Sequence, residues 1–186
     1  MRDAQPDKQA FEPGLAARLL AGVQVAEKWL AGAAFAVLVL VVFADVLSRE
    51  LTGAGLYWVS QVAVWANVIV VMAGFGLASA EGAHLRPRFA DLWLPASWAP
   101  ALATLQHLCM ALFSCAFGLL AARVVAGSWR LGEVSIDLFV PIWPVQIFLP
   151  LAFLTAALRH AIYAFVPELR PADSSALAPI EAGLGK

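Results

Sequence analysis

Three histidines, two cysteines and a few carboxylates are the residues of this chain whose types could do chemistry. A metal centre needs imidazole, thiolate or carboxylate groups that converge. His84, His107 and His160 are far apart in sequence, and Cys109 and Cys115 lie six positions apart in one apolar run. At helical spacing that is about 240° of rotation, which puts the thiols on different faces. No CxxC motif and no secreted-type cysteine framework is present, so both cysteines read as small packing residues. A bis-histidine haem would need facing imidazoles at matched depth. His107 falls about two turns into the third apolar segment and His160 ends the fourth on the same cytoplasmic side, so the two can converge, but their depths look unequal and His107 reads as a polar contact inside a bundle. No Ser-His-Asp grouping, Gly-rich phosphate loop or paired-carboxylate pattern occurs. The chain is therefore not expected to be an enzyme, and no cofactor or metal ligand set is assigned to it.

The remaining ionisable residues sit almost wholly at the ends of apolar runs. Asp45, Arg49 and Glu50 cluster after the first run, and Arg159 closes the last, where its long stem can snorkel. Gln61, Asn67, His107 and Gln146 are the strong polar candidates within the runs. An ion or proton path needs a polar column through the bilayer, and this set does not supply one.

The elements that must position these residues follow from composition. The chain has 186 residues, 62% of them hydrophobic and 13% charged, with a mean hydropathy of +0.80. Soluble domains run at roughly 45–50% apolar and about 25% charged. With 12 basic and 13 acidic residues the net charge is −1, so no bulk field points to an anionic partner. Disorder, nucleic-acid binding and a solvated enzyme domain are excluded, which leaves a membrane protein. A spanning helix needs about 20 mostly apolar residues, and the charges divide the chain into four such runs, near 29–47, 58–80, 99–125 and 142–164. No period-2 alternation runs through them, which argues against a β-barrel. The first run is preceded by 28 residues that include Asp3, Asp7, Glu12 and Glu27 and is not followed by a clean cleavage site. It reads as a retained helix, not a signal peptide.

Nine of the 12 basic residues fall on the side of the two termini, and Arg49, Arg123 and Arg130 fall on the other. The positive-inside rule places both termini in the cytoplasm. Trp29, Trp58, Trp98, Trp129 and Trp143 lie near predicted helix ends, as an interfacial belt would. Residues 14–28 have Leu15, Leu19, Leu20 and Val23 on one face and Arg18, Gln24 and Lys28 on the other, the pattern of an amphipathic helix lying in the membrane interface. Residues 85–93 repeat that pattern with Leu85, Phe89 and Leu92, with Arg88 and Asp91 facing away and Pro87 in the first turn. Segment 1–13 reads as a flexible tail and 166–186, rich in Pro, Ala and Ser, as a disordered one. The expected fold is an all-α integral membrane protein with four transmembrane helices, cytoplasmic termini and short interfacial helices.

Helix packing is marked by small residues. Ser114, Gly118, Ala122 and Ala126 repeat every four positions, as do Gly74 with Ala78 and Gly76 with Ala80. Such spacing lets helix backbones approach closely in lipid, and Gly118→Leu is expected to weaken assembly. Pro144 suits the opening of the fourth helix, and Pro150, lacking an N–H, should kink it. No internal repeat supports an inverted-repeat transporter core.

The order of these features carries a resemblance. The first span ends in Asp45-Val46-Leu47-Ser48-Arg49-Glu50-Leu51, and Trp58-Val59-Ser60-Gln61 opens the second after a short Gly-containing turn. The second closes with Ala80-Glu81-Gly82-Ala83-His84-Leu85-Arg86 and, after Asp91, Leu94-Pro95. Helix four opens Pro141-Ile142-Trp143-Pro144 and continues through Leu149-Pro150-Leu151 to Arg159. Over roughly residues 25–165 this resembles the small, DctQ-like membrane subunit of TRAP transporters. Ser60 and Gln61 stand where that family usually has acidic residues, and Pro87 and Arg88 interrupt its stretch before Asp91. The resemblance implies a non-catalytic scaffold beside a large, roughly twelve-span subunit that holds substrate and sodium. A periplasmic binding protein would deliver the substrate, usually an organic acid. Location in a bacterial inner membrane follows, with Trp58, Gln61, His84, Arg86, Arg88 and Asp91 as candidate lipid or partner contacts. The competing expectation is an independent four-helix membrane protein, such as a haem-binding electron-transfer subunit.

Overall fold

The computed structural model describes residues 14–80 and 98–171. His84, Arg86, Arg88 and Asp91, the interfacial helix expected at 85–93, the tail 1–13 and most of the C-terminal tail lie outside them.

Helix α1 runs unbroken over Leu15–Thr52. The interfacial helix expected at 14–28 and the span at 29–47 are thus one 38-residue element. No proline interrupts it, and Gly22 and Gly32 cost too little, about 1 kcal/mol each, to break a helix this long. It ends where Gly53 takes φ 74° and donates its N–H to the Arg49 carbonyl at 2.9 Å, the left-handed stop that glycine accepts without strain. The turn into α2, Val59–Ala80, is held by Asp45. One carboxylate oxygen accepts the Leu56 N–H at 2.7 Å and the other accepts Arg49 Nε at 2.8 Å.

Helix α3 occupies Ala99–Leu131, six residues past the expected end. Arg123 therefore lies inside the helix and not at its terminus. The stop is again a left-handed glycine, Gly132 at φ 63°, and Glu133 N–H closes onto the Ser128 carbonyl at 3.0 Å. A short loop with one isolated bridge, Val134 to Pro141, leads to α4, Trp143–Gln146. Helix α5, Phe148–Phe165, continues the same span after Ile147. The interruption follows from Pro150, which has no N–H to give the Gln146 carbonyl four residues back. A 3₁₀ turn over Pro167–Leu169 follows. Arg170 then folds back, donating from Nε to the Tyr163 carbonyl and from Nη2 to Thr104 Oγ1, so the first residues of the expected disordered tail are ordered.

Four stretches are long and apolar enough to cross a membrane: Leu15–Thr52, Val59–Ala80, Pro100–Leu131 and Trp143–Phe165. Among the described residues there are no strands. Helix α1 packs on α2, α3 packs on α5, and α2 joins the two pairs through α5. Of the buried hydrophobic residues all but Val59 and Tyr163 are alanines. The large apolar side chains point outward, with Leu40 65% and Leu112 72% exposed. That inversion belongs to a bundle in lipid. Hydrocarbon solvates leucine as well as a protein core does, so close backbone contact through small residues holds the helices together.

Candidate functional site

The strongest polar contact between helices joins two residues that the spans alone keep apart. Arg159, on α5, is 1% exposed, and its Nη2 donates to Glu27 Oε2 on α1 at 2.8 Å. Its Nη1 donates to the Gly76 carbonyl on α2. Thr155 Oγ1, one turn before Arg159, lies 3.3 Å from the other Glu27 oxygen. One guanidinium thus ties three spans at one level. Gly76 makes room for this: a Cβ there would run into the Glu27 carboxylate. Reading Glu27 as part of a polar leading segment, and Arg159 as a snorkelling helix end, missed this pair. The available signal was two opposite lone charges bordering apolar runs on the same side of the bilayer.

At the next residue of α5 after Arg159, His160 meets His107 on α3. Their Nδ1 atoms stand 3.1 Å apart and their rings are stacked, with centroids 5.3 Å apart. The unequal depths expected for these residues are not observed: α5 runs on to Phe165, so His160 lies inside it, level with His107 two turns into α3. The contact requires one imidazole to donate and the other to accept. Tyr163 sets its ring edge-on to both, 5.5 Å from His107 and 6.1 Å from His160. A haem iron held between two imidazoles would separate its nitrogens by about 4 Å, twice a metal–nitrogen bond of about 2.0 Å, and needs space for the porphyrin plane. A direct 3.1 Å contact between the rings does not fit that group.

Other expected packing residues separate by environment. Ser114 is fully buried between α3 and α5. A side chain at Gly118 would meet Leu154 at 2.9 Å and Phe153 at 3.4 Å. Phe153 in turn sets its ring at a tilt against Phe75 and Phe117, with centroids 5.2 and 5.8 Å apart, joining α5 to α2 and α3. Ala122 lies beside Trp129, Trp143 and Pro150 at the far end of the α3–α5 seam. Gly74 differs, since a side chain there would meet nothing within 4 Å. Trp58 and Gln61 are half-buried at the start of α2, and Pro144 opens α4 while Pro150 is buried in α5.

Glu27 pairs with Arg159 and His107 with His160 inside the chain, while Ser79 Oγ, Ser114 Oγ and Gln146 Oε1 are buried without a hydrogen-bond partner. Among the described residues, the side-chain hydrogen bonds between spans all fall at the end that carries the termini, and none bridges the apolar middle. The arrangement can hold helices in register. Among the described residues no group of three metal-ligating side chains forms. Compared with known families, residues 38–170 match the one described as tripartite ATP-independent periplasmic transporters, DctQ component. No curated protein matches the chain.

Proposed function

Since the chain belongs to the DctQ family, the small component of tripartite ATP-independent periplasmic (TRAP) transporters, we propose that it is a non-catalytic scaffold for a large transport subunit. That subunit would hold the substrate and sodium sites and move against this fixed bundle. Sodium-coupled uptake of an organic acid, delivered by a periplasmic binding protein, is the activity served. The observation that carries the scaffold reading is the Glu27–Arg159–Gly76 lock. The buried charges of this chain tie its own spans together, as a rigid frame requires, and are not lined up as a path.

The complex sits in a bacterial inner membrane with both termini of this chain cytoplasmic, which the excess of Lys and Arg on that side supports. The opposite end faces the binding protein, through the turns near 49–57 and 127–139. There Ile136 and Phe139 are 86% and 78% exposed on a loop braced by Ser135 N–H to Val140 O at 2.8 Å and Ile142 N–H to Glu133 O at 3.2 Å. Phe139 adopts φ 54°, a conformation uncommon outside glycine that the surrounding bonds must hold in place.

The test is purification of the tagged chain from its native membranes with identification of what accompanies it. One many-span protein in stoichiometric amount is expected, together with sodium-gradient uptake in proteoliposomes that requires both chains. A chain recovered alone and monodisperse would overturn the reading.

A further inference from the structure

Three helices set the far limit of the apolar slab at a common level. Asp45 lies 18 positions from Glu27 along α1, Val59 lies 17 from Gly76 along α2, and Trp143 lies 16 from Arg159 along the fourth span. Since Glu27, Gly76 and Arg159 share one level, all three limits fall about 24–27 Å from it at about 1.5 Å per residue. Helix α3 is placed in the same frame by Trp129, which lines one cleft with Trp143. Arg123 precedes Trp129 by six residues, so its backbone lies about 9 Å inside the slab. It is exposed, among the exposed Leu119, Leu120 and Val124. Among the described residues it makes no hydrogen bond or ion pair. A guanidinium at that depth calls for an anionic partner, and the described residues offer none there.

We infer that Arg123 is the docking charge of this subunit, taking up a carboxylate on a membrane-spanning helix of the large partner. The inference rests on the scaffold reading above and names a contact through which it would operate. Two features favour a protein carboxylate over a lipid phosphate. Helical side chains leave the backbone leaning toward the helix N-terminus, and the N-terminal end of α3 is the far one, where Thr104 and His107 meet Arg170 and His160. Arg123 therefore starts toward the bilayer middle, away from the nearer headgroups, and snorkelling outward works against that geometry. On the same face stand Ala116, seven residues before, and Gly127, four after, where an added side chain would meet nothing within 4 Å. Small residues flanking the charge allow a second helix to come close enough for a two-pronged guanidinium–carboxylate pair.

The tagged chain is co-expressed with its large partner as wild type, Arg123→Lys, Arg123→Gln, Arg123→Leu and Arg123→Glu, and the partner recovered is measured. The wild type tests the scaffold reading by itself. Arg123→Gln, Arg123→Leu and Arg123→Glu are expected to lower recovery at least about tenfold, with Arg123→Lys, which keeps the charge but not the two-pronged geometry, intermediate. The melting temperature of each variant chain alone should match wild type, because Arg123 makes no hydrogen bond or ion pair among the described residues, and Gln keeps a polar side chain should Glu prevent folding. Reversing one acidic residue of the partner to Arg should restore recovery with Arg123→Glu. If the wild type brings the partner and the Gln and Leu variants bring as much, the inference is overturned and the scaffold reading stands. Loss of co-purified phospholipid in those variants, with partner recovery intact, overturns it in favour of a headgroup phosphate. If the wild type brings no partner, both readings fall.

Discussion

Glu27 and Arg159, 132 residues apart in sequence, close a 2.8 Å ion pair between the first and last spans. The pair is buried, so the two ends of its energetics differ. Replacing both charges with apolar groups of similar volume can be nearly neutral, whereas removing one leaves the other stranded. Arg159→Met should therefore destabilise the chain by about 3–5 kcal/mol. The double variant with Glu27→Gln should recover part of that loss, a coupling that thermal melts of the four purified forms would measure directly. A double-variant loss equal to the sum of the two single losses would contradict a pairwise lock.

Gly76 and Gly74, two positions apart on α2, should answer oppositely to alanine. A Cβ at Gly76 runs into the Glu27 carboxylate. That carboxylate could swing aside, but only by leaving Arg159, so Gly76→Ala should cost about 1–3 kcal/mol. At Gly74 nothing lies within reach, and Gly74→Ala should stabilise the helix by about 0.5–1 kcal/mol. Melting temperatures shifted in the same direction would contradict this assignment of faces.

Gly118→Leu is expected to act on the bundle itself. The new side chain would enter the space of Leu154 and Phe153, whose nearest atoms stand 2.9 and 3.4 Å from an added Cβ. Overpacking of this kind costs about 1–3 kcal/mol. The variant chain purified alone should melt lower than wild type, with Gly118→Ala intermediate. A wild-type melt combined with poor partner recovery would move this glycine from the internal seam to the outer surface.

At the opposite end of the bundle, Asp45 and Arg49 should contribute unequally although they bond each other. Asp45 also accepts the Leu56 N–H at 2.7 Å and so anchors the turn. Arg49 is 66% exposed and adds a surface pair. Asp45→Ala should cost about 1.5–3 kcal/mol, as loss of a charged hydrogen bond does, while Arg49→Ala should stay within about 1 kcal/mol. Denaturation of the two variants side by side distinguishes an anchoring carboxylate from a mere ion pair.

The number and nature of the spans were legible in the sequence because they depend on local quantities. Runs of about 20 uncharged residues must be helical in lipid, where every backbone group has to be satisfied within its own segment. The opening of the second span at Trp58 and the interruption ahead of Pro150 were visible for the same reason, and so was the family, whereas the first helix runs to Thr52, five residues past its expected end. The faces were not. These helices are apolar around their whole circumference, since lipid and bundle interior both favour such residues, so periodicity gives no rotation angle. Only the tertiary structure turns Glu27 toward Arg159 and brings His107 level with His160. It separates Gly76 from Gly74 by what each faces. It also carries α3 beyond Arg123, turning a residue read as a helix end into a charge within the span. Those outcomes depend on the rotation, tilt and relative length of neighbouring helices, which are settled when the bundle packs and not along any one segment.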